Sequence, residues 1–285
     1  MCSAFPSIIS LAMLFARLEA RRCLKDIEPA LFPADGGPEH GEVVELHGTE
    51  GTGELPSQEL LYHLLCRCVM PAAAGGLEVE VVFVDTDYSL DMMRLVSVLD
   101  SRLNVLRSCL ARLLVVHCSS CSQLLLTLHF LETSLSSRPS LALLLIDSIS
   151  AFYWLDRCEG GASVTKQEEK LSKCADLLGR LLRDYRITVF ATCHAIRRNY
   201  SGQSSSSSSE FDRPYLCRSW QRLVNHRLLC SREEGTSNMA TAAEGSEEQR
   251  RRQVFTVHCT SSFSSKTKSH RSSSFYVTDG GVKLI

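Results

Sequence analysis

These 285 residues lack a basic leader, a membrane-length apolar run and any repeat at a solenoid period. Phe5 to Leu18 is apolar, but Arg17, Arg21 and Arg22 fall at or after its end rather than before it, which argues against a secretory signal. The stretch is too short to span a bilayer and reads as a helix or strand laid on the chain's own core or on a partner. No membrane association is expected. Cys118 and Cys121 form a C-x-x-C with no second pair beside it, so a structural role competes with zinc binding and is favoured. The 13 cysteines are odd in number and scattered through apolar runs such as Leu64-Leu65-Cys66-Arg67-Cys68, as expected of reduced, buried thiols in a cytosolic or nuclear protein. Net charge is also scarce, at −1, but unevenly spread. Residues 1–185 carry 16 Lys and Arg against 24 Asp and Glu, and residues 186–285 carry 15 against 8. A basic last third can face nucleic acid or an acidic partner, or be no more than solvated loops.

The most telling lack is a single lysine. Residues 43–53 read Val-Val-Glu-Leu-His-Gly-Thr-Glu-Gly-Thr-Gly, an apolar strand entering a glycine turn in which Gly48 and Gly53 have the spacing that opens a phosphate-binding loop. Such a loop curls backbone N–H groups around phosphate and continues with Lys and Ser or Thr. Here Glu54 and Leu55 follow, then Pro56-Ser57-Gln58 before a helix is expected to resume. A carboxylate at the place of the ammonium sets like charges together. At an effective dielectric of about 20, two unit charges 4 Å apart repel by roughly 4 kcal/mol, or about three decades in affinity. Pro56 also removes one N–H where a helix N-terminus would offer it. Two accounts of the change stand, genuine degeneration and a fault in the gene model.

A 44% hydrophobic content supports a sizeable core. Short Val, Ile and Leu runs at Val43–His47, Glu80–Asp85, Leu113–His117, Leu141–Asp147 and Ile187–Thr192 predict parallel strands buried on both faces. Between them Gln58–Val69, Ser122–Leu135 and Lys166–Tyr185 place leucines at helical spacing. This alternation predicts an α/β fold with a mostly parallel twisted sheet flanked by helices. Strands at Val254–Cys259 and Ser274–Thr278 close the chain around an Asp279-Gly280-Gly281 turn, and a serine tract at 201–209 reads as a flexible loop.

Several strand ends carry candidate chemistry. Leu141–Ile146 ends in Asp147, as an ATPase presents a magnesium-holding carboxylate, though a plain strand-end turn has the same look. Asp87 follows the second strand and can orient a hydrolytic water or cap the helix starting near Leu90. His194, after Ala191-Thr192-Cys193, can sense a terminal phosphate or be an ordinary loop residue. Two loops on the same side mix arginine with aromatics, the pairing that grips single-stranded nucleic acid. They supply Arg157 near Tyr153 and Trp154, then Arg197, Arg198, Tyr200 and Arg213, with Tyr215 close by.

Together these pieces resemble the RecA-type recombinase family and its eukaryotic recombinase paralogues. Leu61-Tyr-His-Leu64, Asp85-Thr-Asp-Tyr88, Asp147-Ser-Ile-Ser-Ala-Phe-Tyr-Trp154 and Arg213-Pro-Tyr-Leu-Cys217 with Trp220 carry the resemblance, which covers most of residues 16–232. It implies a RecA-like P-loop ATPase core without a separate N-terminal helical domain. The organisation expected is an N-terminal segment at 1–40 that can dock a partner, a core at 41–232, a flexible polar insertion at 233–253 and closing strands at 254–285. ATP and Mg2+ are the implied cofactors, with Gly48, Thr49, Glu50, Gly51, Thr52 and Gly53 cradling phosphate and Asp147 at the metal. Without the lysine, hydrolysis is expected to be weak or absent. The implied role is a subunit of a recombinase-paralogue complex that assists recombinase filament assembly on single-stranded DNA. The complex would serve breaks, crosslinks and stalled forks, with a related role in meiosis. The expected neighbours are other recombinase paralogues, especially the one labelled D, and single-stranded or branched DNA reached through the complex. The expected location is the nucleus, with the cytoplasm second.

Overall fold

The structure is a computed structural model and describes residues 21–33, 37–48, 55–100, 106–161, 163–194, 216–232, 253–262 and 268–285. A nine-stranded sheet organises them. In chain order the strands are β1 (Val43–Gly48), β2 (Glu80–Asp85), β3 (Leu113–His117), β4 (Leu141–Asp147), β5 (Thr188–Cys193), β6 (Val224–Arg232), β7 (Val254–Ser262), β8 (Lys268–Thr278) and β9 (Gly281–Leu284). Their order across the sheet is β3-β2-β4-β5-β1-β6-β7-β8-β9. The first six are parallel, and β7, β8 and β9 extend them antiparallel.

The helices are α1 (Leu55–Val69), α2 (Met92–Asp100), α3 (Leu106–Leu110), α4 (Cys121–Ser137), α5 (Tyr153–Glu159), α6 (Val164–Tyr185) and α7 (Arg218–Leu223). They sort onto the two faces according to which strand residues alternate toward them. Val44, Leu46, Val81, Phe83, Leu143 and Leu145 point to one side and bury Leu60, Leu61, Leu64 and Leu65 of α1 with Leu95 and Leu99 of α2. Val43, Val82, Val84, Leu144 and Ile146 point to the other and bury Leu124, Leu128 and Leu131 of α4 with Leu171, Leu178 and Leu181 of α6. Burying one such leucine is worth roughly 1.5–3 kcal/mol, so the period-two and period-3.6 patterns together dictate the layering.

Residues 21–33 add Leu24, Ile27, Leu31 and Phe32 to the first face, each almost wholly buried. Gly37 lets the chain press against this strap: a Cβ there would meet the Lys25 carbonyl oxygen at 1.9 Å. Arg21 anchors the strap at the sheet's lower edge. Its Nε donates to Leu141 O at the start of β4 (2.9 Å), Nη1 to Tyr185 O at the end of α6 (3.0 Å) and Nη2 to Leu135 O near the end of α4 (2.5 Å). A guanidinium here satisfies carbonyls that two helix C-termini leave open, where the helix dipole favours positive charge.

Three features depart from the sequence reading. Helix α1 starts at Leu55, not Gln58, so the extra residues after the glycine loop add almost a turn to the helix. Pro56 is tolerated there because first-turn N–H groups have no intrahelical acceptor to lose. The start of α2 is capped by Asp91, whose Oδ1 accepts from the Arg94 N–H at 2.9 Å, and not by Asp87. The strand β6 is absent from the strands expected from sequence; its buried row is Val224, His226, Leu228 and Cys230, with a histidine among the apolar residues. His226 is accommodated between Ser261 Oγ (2.8 Å) and Glu42 Oε2 (2.9 Å).

The twelve described cysteines are free thiols, most of them buried. Cys118 contacts Thr127 Oγ1 at 3.4 Å while Cys121 contacts the Cys174 sulfur at 3.8 Å, so the C-x-x-C pair faces two different partners. Among the described residues no cluster of three or more His, Cys, Asp or Glu could hold a metal ion. No described helix is long and apolar enough to cross a membrane.

Candidate functional site

Three aspartates meet at the C-terminal edge of the parallel strands. Asp85 and Asp147 end β2 and β4 and stand opposite each other in register. Asp87 follows, with the Thr86 and Asp87 N–H groups donating to Asp147 O at 2.8 and 3.3 Å. The peptide bond after Asp147 is cis.

Asp147 is nearly buried, and each of its oxygens accepts a hydroxyl. Oδ2 accepts from Ser89 Oγ at 2.9 Å, and Oδ1 accepts a short hydrogen bond from Thr192 Oγ1 at the end of β5. Burial pushes its pKa above the usual carboxylate value; the two hydroxyl donors pull it back, and the charges of Asp87 and Asp85 push it further up. Asp87 shows the opposite balance. Burial would raise it, but hydrogen bonds from His194 and Ser148, with the His194 charge, hold it below its usual value. The His194 Nε2–Asp87 Oδ2 distance is 2.7 Å, which ties the end of β5 to the chain leaving β2. Asp85 accepts from the N–H groups of Ser89 and Leu90 (3.1 and 3.4 Å) and lies 3.3 Å from His117 Nδ1. The His117 ring stacks on Tyr88 with centroids 5.3 Å apart.

Helix α1 joins this cluster from the side. Gln58 Nε2 donates to Ser89 O at 2.7 Å. The Tyr62 hydroxyl accepts from the Asp91 N–H at 2.8 Å, and burial pushes its pKa up to about 12, so it stays protonated. Glu59 holds Arg94 through both oxygens (2.7 and 2.9 Å), and Arg94 reaches on to the carbonyls of Thr278 and Asp279 in the β8–β9 turn, both at 2.6 Å.

Of the residues singled out in the sequence, the structure brings together Asp87, Asp147 and His194, with Gly48 closing β1 on the same edge. Thr49, Glu50, Gly51, Thr52, Gly53 and Glu54 lie outside the described residues, as do Arg197, Arg198, Tyr200, Arg213 and Tyr215. Arg157 sits on a short helix, α5, rather than in a loop. It donates to Tyr153 OH at 2.7 Å and lies 5.8 and 5.7 Å from the centroids of the Tyr153 and Trp154 rings. Trp154 and Leu155 beside it are more than half exposed. Sequence reasoning missed Ser89 and Arg94, since a serine just before a helix or an arginine in its first turn carries no signal of its own. It also missed the buried Glu45 of β1, which accepts from Trp220 Nε1 (2.6 Å) and Arg227 Nε (3.0 Å).

The profile of the Rad51 family matches residues 30–258. The chain belongs to the Rad51 family. Within it the chain is 49% identical over 247 residues to the DNA repair protein XRCC2 of Mus musculus, covering 82% of this chain and 88% of that protein. It is 28% identical over 218 residues to the DNA repair protein RAD51 homolog 4 of Bos taurus, covering 73% and 60%. It is 23% identical over 297 residues to the XRCC2 homolog of Arabidopsis thaliana, covering 78% of each. The sheet is the mostly parallel, helix-flanked sheet of a Rad51/RecA-like domain.

Proteins of the Rad51 family in general bind ATP with Mg2+. The side chains here fit that pair poorly. Asp147 already accepts a hydroxyl on each oxygen, and burial raises its pKa above the usual carboxylate value. Among the described residues, the ionisable partners of the three aspartates are His117 and His194, and no Lys or Arg pairs with any of them. In the loop itself the sequence offers Glu54 to the phosphates. By sequence, a triphosphate would meet the carboxylate of Glu54 where such a loop supplies a lysine.

Proposed function

We propose that this chain is a DNA-repair subunit of the recombinase-paralogue family that acts as an assembly scaffold rather than as a nucleotide-driven motor. Its place is in a complex of recombinase paralogues, next to the paralogue labelled D. The complex supports recombinase filament assembly on single-stranded DNA at breaks, crosslinks and stalled forks in the nucleus. The observation that carries this reading is the strand edge whose three carboxylates pair with hydroxyls, imidazoles and backbone N–H groups and, among the described residues, with no Lys or Arg. The 49% identity to a protein named for DNA repair supports the repair role. The exposed Trp154 beside Arg157 supports contact with single-stranded DNA through stacking and charge.

The test is an ATP–magnesium titration of the chain co-purified with its paralogue partner, beside a version whose loop is restored to Gly-Lys-Thr. Only the restored version is expected to add a binding site beyond the partner's own. Micromolar binding by the unaltered chain would overturn the scaffold reading.

A second reading, an active DNA-dependent ATPase, is favoured by one observation. Asp147 ends β4, which lies between β2 and β5 in the parallel part of the sheet, at the strand edge where such enzymes present their metal carboxylate. It requires micromolar nucleotide binding by the unaltered chain, and loss of turnover on Asp147→Ala.

A further inference from the structure

We propose that Ser89 is the positioning residue of a side-chain latch that fixes the ends of β2 and β4 and the start of α1 without any ligand. The proposal rests on the nucleotide-independent reading above and says what takes the ligand's place.

In a nucleotide-bound P-loop protein the metal and phosphates cross-link the glycine loop, the carboxylate strand and its neighbours, and loops beyond those strands respond. Here one serine spends every polar atom on a different element of the same edge. Its N–H donates to Asp85 Oδ1 at 3.1 Å, at the end of β2. Its hydroxyl donates to Asp147 Oδ2 at 2.9 Å, at the end of β4. Its carbonyl accepts from Gln58 Nε2 at 2.7 Å and from Tyr62 OH at 3.5 Å, both on α1. Thr192 completes the latch from β5 by holding the other oxygen of Asp147. Thr86 Oγ1 donates to Ser148 O at 2.7 Å, so the chain leaving β4 is gripped as well.

The latch needs hydroxyl donors and an acceptor at position 147, but not a negative charge. Asparagine at 147 keeps an acceptor oxygen for one hydroxyl and offers its amide to the other, since a hydroxyl can turn to accept. A metal ligand has no such tolerance, because a neutral amide is a far poorer oxygen donor to Mg2+ than a carboxylate.

Hydrogen exchange followed by mass spectrometry on the full chain with its paralogue partner tests the proposal. Ser89→Ala keeps the backbone bonds to Asp85 and α1 and removes the hydroxyl bond to Asp147, so it is expected to raise exchange about tenfold in peptides covering residues 148–153, the scale of one lost hydrogen bond, while Gln58→Ala, which removes the donor to the Ser89 carbonyl, is expected to raise it in the first turns of α1. Thr192→Val is expected to raise it at 148–153 but not in α1. Asp147→Asn is expected to retain the protection. Unchanged exchange in Ser89→Ala, or a loss of protection in Asp147→Asn, overturns the latch. Adding Mg–ATP to the unaltered complex separates the two claims. Extra protection of these peptides of this chain would sink the nucleotide-independent reading, while the Ser89 and Thr192 results would still decide the latch.

Discussion

The two ends of the parallel sheet solve the same problem with opposite charges. At the lower end one buried guanidinium, Arg21, gathers carbonyls from α4, β4 and α6. At the upper end three carboxylates gather hydroxyls, imidazoles and backbone N–H groups. The lower end has one donor serving many acceptors and fails all at once if the donor is lost. The upper end is distributed, so each contact is individually modest. Stability is therefore concentrated at the end far from the candidate site, and the site's edge keeps room to vary.

The largest effect expected from breaking this contrast is at the lower end. Arg21→Met leaves three buried carbonyls without this donor and should cost about 3–5 kcal/mol. That is a fall of roughly 10 °C in the melting temperature, read by calorimetry or near-UV circular dichroism. Arg21→Lys should recover little, because an ammonium cannot reproduce the planar fork. A melting temperature within 2 °C or so of the parent in either variant would remove Arg21 from its central place.

An intermediate effect is expected at the upper end. Arg94→Ala leaves the nearly buried Glu59 without its partner and frees the β8–β9 turn, at a cost of about 2 kcal/mol. Removing both partners in Arg94→Ala with Glu59→Leu should recover part of that loss, as measured by denaturant unfolding. A double variant as unstable as the single one would show that the turn contacts, not the ion pair, hold the energy.

The smallest effect separates two neighbouring acids by pH. Hydrogen bonds from His194 and Ser148 outweigh burial and hold Asp87 below its ordinary value of 3.8. Its stabilisation is therefore present above that value and lost as pH falls through the folded pKa. Asp147 is raised, chiefly by burial, so its sign is reversed. Its contribution is fully present below 3.8 and is lost as pH rises through the folded pKa. Asp87→Asn should thus be about 1 kcal/mol less stable than the parent at neutral pH, and Asp147→Asn equal or more stable, with both differences shrinking in acid. Parallel pH profiles for the two variants would contradict the assignment of opposite environments.

Much of the scaffold was legible because it depends on neighbours in sequence. Leu141–Ile146 is apolar throughout and is buried on both faces, and the leucines of α6 repeat at helical spacing and face the sheet. The polar cross-links were not legible because they join distant residues. Glu45 meets Trp220 and Asp87 meets His194 only after the sheet has assembled. In isolation Glu45 contradicts a buried strand, and Ser89 is an unremarked residue on a helix approach. Asp147 shows the middle case. Its position at a strand end was readable, but its hydrogen bonds from Ser89 and Thr192 depend on two separate elements.

The cysteines carry a practical consequence. Among the twelve described thiols Cys158 alone is exposed, and it follows Arg157 on the short helix that presents Trp154. Brief treatment with a fluorescent maleimide should mark that helix before the buried cysteines react. That thiol is an attachment point for an optical reporter, one residue from Arg157 and four from Trp154, whose proposed role it would report on.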